Sequence, residues 1–392
     1  MLEFWFSGIC VRMISVQKLL RISNILFFAR TITLAGLLLF SVSLADGQPK
    51  AMAAAPFKLC SSYILQTDTI ITAVGNQRGV LVAESGGMIR LLHPTTLDTI
   101  WSAEIGGNIV SNLVLAGDFL YVSANTASDA PVSKLRAINI DTGLIHSSYD
   151  LEYSKSFQLR KAGDRLLIVP DAAAPQLLNG SDLRENGRLD FWSSGDRVLF
   201  ANAEQMLVAS GTNGLRVVSL TDMSNRSQIQ GNDRVFASAY ITSDGRLITG
   251  NGTGEIRSER LAVNGRAWKF KTGGEIVLMD SIDGNVLIAS NDNFLYLLGG
   301  QNGSVIWRSR LPGRPSTGKV LQDAGVAIGV LGEERIFIID PSNGKVQNLI
   351  QLEENEEIRP DGILETQPGS FALLTSGGLR VYSSSANCGR SE

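Results

Sequence analysis

Two histidines and three cysteines are all that this 392-residue chain offers for imidazole or thiol chemistry. His93 and His146 stand far apart, and neither lies in a Cys/His/Asp cluster with zinc-ligand spacing. Cys10, Cys60 and Cys388 include no adjacent pair. No G-x-S-x-G elbow lies between a strand and a helix, and no P-loop or dinucleotide fingerprint occurs. Charge of one sign is also scarce. The formal net charge is −3, and without the first 45 residues 31 basic stand against 37 acidic residues. A mildly acidic body without a basic stripe excludes nucleic acid as the main partner. Windows with a helical period are few. No apolar run reaches the roughly 20 residues that a membrane-spanning helix needs.

Glycine is abundant, at 40 residues, and from about residue 70 onward the text reads as short strands and turns. "FLYLLGGQNGSVIW", residues 294–307, is a strand, a Gly/Asn turn and a second strand that reaches Trp307. The same form recurs in "MIRLLHPTTLDTIW", ending at Trp101, in "KLRAINIDTGLIHS", in "SERLAVNGRAW", ending at Trp268, and in "RIFIIDPSNGKVQ". Asp, Asn and Gly tolerate the positive φ of tight hairpins. Each hairpin follows an apolar strand: "GVLVAES", "DFLYVSA", "DRLLIVP", "QMLVASG", "GRLITGN", "NVLIASN", "GVAIGVL" and "SFALLTS". Their spacing of roughly 40 to 47 residues is that of propeller blades. Eight anchors predict an all-β, eight-bladed β-propeller. Seven blades are the alternative, because the third unit, "PQLLNGSDLRENGRLDFW", is the most degenerate.

The N-terminus reads separately. Lys18, Arg21 and Arg30 precede the apolar stretch 31–45, which has the length of a signal-peptide core. Residues 1–45 are therefore expected to be a signal peptide or, if uncleaved, a membrane anchor. A linker follows over 46–56, then the propeller over 57–385 and a tail over 386–392. Contact with a membrane would run only through the uncleaved segment. No cysteine follows the apolar core at a lipidation position. Export to the periplasm or beyond is the expectation.

These hairpins resemble the repeats of PQQ-like β-propellers, whose units end in an aliphatic strand, an Asp-x-x-x-Gly turn and a Trp. The resemblance covers roughly residues 57–385 and is clear in the first, sixth and seventh units. It implies four-stranded antiparallel blades around a central channel. It also implies that Trp101, Trp268 and Trp307 pack between neighbouring blades. The family holds quinone-dependent dehydrogenases and non-catalytic scaffolds. The dehydrogenases bind their quinone with calcium above a stacking Trp, beside an adjacent-cysteine disulfide that this chain lacks. The scaffold branch includes the periplasmic lipoprotein of the outer-membrane β-barrel assembly machine, which this chain matches in size and blade count. No cofactor and no metal are expected. The turn carboxylates Asp141, Asp280, Asp283, Asp292 and Asp340 cap their own turns by default.

Two loops carry contrasting charge. "RSRLPGRPSTGK" holds Arg308, Arg310, Arg314 and Lys319, and "QLEENEEIRPDG" holds Glu353, Glu354, Glu356 and Glu357. Both connect the outermost strand of one blade to the innermost strand of the next. They share a face with the loop of residues 124–134, so a charge-patterned surface for docking proteins is predicted. The reading is thus an exported, non-catalytic scaffold for protein partners, possible envelope assembly components among them. The alternative is a quinone or carbohydrate enzyme using the central funnel.

The last unit lacks an outer strand, and "FKLCSSYILQ", residues 57–66, is a strand left over before the first blade. Pairing the two would remove two exposed sheet edges and close the ring. Aligning the last hairpin with the opening one brings Cys60 and Cys388 within disulfide reach. Cys10 lies in or before the signal segment.

Overall fold

The repeated apolar strands are buried on both faces, and this decides the architecture. Asn285–Ser290, Gly325–Val330 and Ser370–Thr375 carry aliphatic and small residues with hardly an exposed position. A strand with two apolar faces must lie between two neighbours. In the computed structural model every such strand is the second of its sheet. The structure describes residues 57–64, 70–125, 132–151, 157–171, 173–193, 195–211, 214–229, 236–260, 267–384 and 388. The expected signal or anchor over 1–45, the linker over 46–56, Cys10 and most of the 124–134 loop lie outside the described residues.

The described residues form eight antiparallel sheets, which are the blades of a propeller. Blades 1 to 7 span residues 70–104, 108–151, 157–188, 196–229, 236–271, 276–310 and 315–351. Blade 8 spans residues 358–383 and takes its outer strand, Lys58–Ile64, from the opposite end of the chain. The chain has eight blades, so the seven-blade alternative falls. The hydrophobic core is correspondingly divided into eight clusters, one between each pair of neighbouring blades.

Innermost strands leave one edge without a ladder partner, and backbone groups there need other partners. Side chains of the preceding blade supply several. Asn112 spans the gap between blades 2 and 3 as a surrogate peptide, accepting from Leu159 N at 2.8 Å and donating to Leu159 O at 3.0 Å. Arg197 of blade 4 donates to Phe236 O at 3.0 Å, and Arg359 of blade 8 donates to Ile70 O at 2.9 Å. In blade 2 the innermost strand is split into Asn108–Ile109 and Val114–Ala116, and Asn112 lies in the interruption.

At the outer rim the tryptophans join blades. Trp101 Nε1 donates to Ile140 O of the next blade at 2.7 Å, Trp268 to Gly300 O at 2.9 Å and Trp307 to Pro341 O at 2.8 Å. Each indole lies against a glycine of the next blade's turn: Gly143, Gly303 and Gly344, with φ of 71°, 69° and 73°. A Cβ there would stand 2.8, 2.5 and 2.5 Å from the ring.

Other blade junctions invert the sizes. The register position of Trp101 and Trp307, just past an outer-strand bulge, holds Ser147 in blade 2, Gly187 in blade 3 and Ser61 in blade 8. The left-handed turn position of the blade that follows then holds Leu183, Met223 and Leu97, all buried, with φ of 56°, 54° and 62°. A Cβ on Gly187 would lie 2.7 Å from Met223. Volume that is absent from one blade is supplied by its neighbour. This explains the degenerate third unit, which keeps its blade with Gly187 rather than a Trp at the seam position.

Blade 8 closes the ring. Lys58–Ile64 pairs antiparallel with Gly378–Ser383, from Lys58 opposite Ser383 to Ile64 opposite Gly378. Cys60 sits at the bulge in this strand and forms a disulfide with Cys388, 328 residues away, with Cα atoms 4.7 Å apart.

Candidate interaction face and central channel

The basic and acidic loops lie on the connections between blades 6 and 7 and between blades 7 and 8. Arg308 and Arg310 belong to the outer strand Val305–Arg310, Arg314 to the connection, and Lys319 to the inner strand Pro315–Leu321. All four are exposed. The Arg308 guanidinium stands 5.8 Å from the centre of the Phe294 ring, which keeps its stem on an aromatic surface.

The loop of residues 331–334 in blade 7 knits the two connections into one face. Leu331 N donates to Arg314 O at 2.9 Å, and Leu352 N donates to Glu334 O at 2.8 Å. Leu331 is 62% exposed between the charged loops. Sequence reasoning missed it, because "GVAIGVL" reads as one apolar strand, and only the end of Gly325–Val330 separates Leu331 from the core.

The four glutamates do not act alike. Glu353, Glu354 and Glu357 are exposed, whereas Glu356 is buried. Glu356 Oε2 accepts from Arg380 Nη1 at 2.6 Å and from Glu353 N at 3.0 Å, and Oε1 accepts from the Thr375 hydroxyl. Its carboxylate holds the connection onto blade 8 and has no face for a partner. The sequence could not separate it from its neighbours, since a run of glutamates on a loop reads as uniformly solvated. Glu356→Gln is expected to lower stability by about 1–3 kcal/mol, the scale of a buried charged hydrogen bond lost, because Arg380 keeps Glu353 at 2.7 Å. Urea unfolding at pH 7 checks this. An unchanged midpoint would show that the buried pair contributes nothing.

The channel is polar. Asp280 of blade 6 is half-buried, and desolvation raises its pKa, opposed by a backbone hydrogen bond from Ser281 and by the charge of Lys319 on the neighbouring inner strand. Burial also raises the Tyr240 phenol, which donates to Asp280 O at 3.4 Å. In blade 8 the inner strand Ile358–Glu365 bulges between Ile358 and Ile363, and Asp361 in the bulge has φ of 54°. The charge of Asp361 acts on Arg160 of blade 3 and opposes the lowering of its pKa by burial.

The turn carboxylates are occupied locally. Asp340 accepts from Ser342 N at 2.8 Å, and Asp292 accepts from Gly273 N and from the Tyr296 hydroxyl, both at 2.7 Å. Asp141 pairs with Arg78 at 3.3 Å. His93 Nδ1 faces Thr95 and Thr96 of its own turn, and His146 stacks on Phe119 at 4.7 Å. Among the described residues no group of three or more His, Cys, Asp or Glu side chains is arranged to hold a metal.

A family described as outer membrane protein assembly factor BamB matches residues 42–309, more than half of the chain. The chain belongs to this BamB-like PQQ propeller family. Among solved structures, BamB from Moraxella catarrhalis is similar with a TM-score of 0.58 and 11% identity, over 83% of this chain and 99% of that one. The computationally designed Ika8 protein is similar with a TM-score of 0.66 and 11% identity, again over 83% and 99%. The C-terminal WD40 domain of Sif2 follows with a TM-score of 0.62 and 14% identity, over 84% and 99%. At such identities the likeness concerns the fold alone, and a designed protein and a WD40 domain share it with BamB. No curated protein matches the chain in sequence.

Proposed function

We propose that this BamB-like propeller is an exported, non-catalytic scaffold that docks protein partners in the cell envelope through the face built by the blade 6–7 and blade 7–8 connections. The observation that carries the reading is the pairing of opposite exposed charges on one hydrogen-bonded face. Arg310 and Arg314 stand on one connection, Glu354 and Glu357 on the other, and exposed Leu331 lies between them. Charge of both signs around an apolar centre fixes the orientation of a partner more than it adds affinity. Membership in a family described as an outer membrane assembly factor supports an envelope partner. The Cys60–Cys388 bond supports export, since disulfides persist in oxidising compartments. Residues 31–45 supply the signal or the tether in this reading.

Replacing Arg310 and Arg314 together by Glu is expected to abolish co-purification of envelope partners after crosslinking. Stability should change by less than about 0.5 kcal/mol, as is usual for exposed substitutions. Equal recovery of every partner by the double variant would exclude this face.

A further inference from the structure

Arg160 lies on the inner strand Phe157–Ala162 of blade 3 and lines a cleft shared with blades 4 and 5. Its Nε is buried without a hydrogen-bond partner, and Nη2 donates to Gln158 at 3.2 Å. Burial lowers the pKa of the guanidinium, and Asp361 is the charge that opposes this. Among the described residues no carboxylate forms an ion pair with Arg160. Arg160 as a whole is half-buried, and a partly desolvated cation without a bonded anion is costly, so proteins usually pair such a group.

A cleft of about 530 Å³ opens beside it, within the range of small-molecule sites. Gln158, Arg197 and Ser238 give the cleft its polar wall, and Trp192 and Val198 give it an apolar one. Two carboxylates also line it. Asp196 is already held by Arg216 at 3.6 Å and by Ser193 N at 3.1 Å, and Asp171 is exposed at the rim. Arg197 has one N–H committed to Phe236 O. The two guanidiniums therefore keep donors for an incoming anion. A planar guanidinium matches a carboxylate, which it can hold through two parallel bonds.

We propose that this cleft binds a small organic carboxylate, with its head on Arg160 and an apolar tail against Trp192 and Val198. The site lies on blades 3 to 5, on other blades than the charged connections of blades 6 to 8, and stands independently of the docking reading.

Titration calorimetry of the purified protein with hexanoate tests this, with hexanamide and inorganic phosphate as the uncharged and tailless controls. Saturable one-site binding of hexanoate is expected, with both controls at least tenfold weaker. Arg160→Gln should lose at least tenfold in affinity while its circular dichroism and melting profile stay native. Should that variant fold poorly, Arg160→Lys keeps the charge and removes the two-point geometry, and a severalfold loss is expected. Hexanamide or phosphate binding as tightly as hexanoate overturns the proposal. So does unaltered hexanoate binding by a folded Arg160 variant, or no saturable hexanoate binding by the native protein.

Discussion

Trp307→Ala is expected to destabilise the protein by about 3–5 kcal/mol, the range for emptying a buried aromatic site. The indole fills the seam between blades 6 and 7, bonds to Pro341 O and lies on Gly344. Gly344→Leu should also destabilise, by about 2 kcal/mol or more, through overpacking against the ring and left-handed strain. The two changes should not add. Leu97 and Leu183 show that a leucine is accommodated at this turn position when a serine stands at the facing register position. The double variant Trp307→Ser/Gly344→Leu recreates that arrangement. Its loss should fall short of the sum of Trp307→Ser and Gly344→Leu alone by at least about 1 kcal/mol, within the usual range for contacting residues. Denaturant melts of the four proteins close the cycle. Additive losses would show that the alternation of large and small residues around the rim is not a compensation between blades.

Breaking the Cys60–Cys388 bond is the second large effect expected. The bond ties the outer strand of blade 8 to the far end of the chain, across 328 residues. In the chain-entropy description, closing so long a loop contributes up to about 5 kcal/mol, through the unfolded state. Cys60→Ser/Cys388→Ser should therefore unfold at clearly lower denaturant concentration than the oxidised protein, and loss should begin at blade 8. Hydrogen exchange would show Lys58–Ile64 and Gly378–Ser383 losing protection before the inner strands of other blades. Identical melting of oxidised protein and double variant would remove the clasp from any account of stability. Peptide mapping without reductant provides the direct check of the bond.

Much of the fold was legible because its signals are local. The eight apolar second strands are short runs bounded by turn residues, and all eight are second strands of successive blades. Ring closure was legible for a different reason. Counting strands left one surplus at the N-terminal end and one missing from the last blade, and an exposed sheet edge is unfavourable enough to make their pairing the simplest solution. The third blade looked degenerate because its conserving partner lies in the next repeat: Gly187 is explained only by Met223.

The sequence by itself determined the strand order, the blade period and the meeting of the two termini, since each follows from periodicity along the chain and from unpaired backbone, while the choice of eight blades over seven fell to the structure. The tertiary structure alone decided which charges are free. Glu354 and Glu357 face solvent while Glu356, between them, is held by Arg380 and Thr375 from another segment. It alone brought Asp361 of blade 8 within electrostatic reach of Arg160 of blade 3, and it left Arg160 Nε buried beside an open cleft. Burial and pairing of a side chain depend on segments distant in sequence, and a single chain read in order carries no record of those distances.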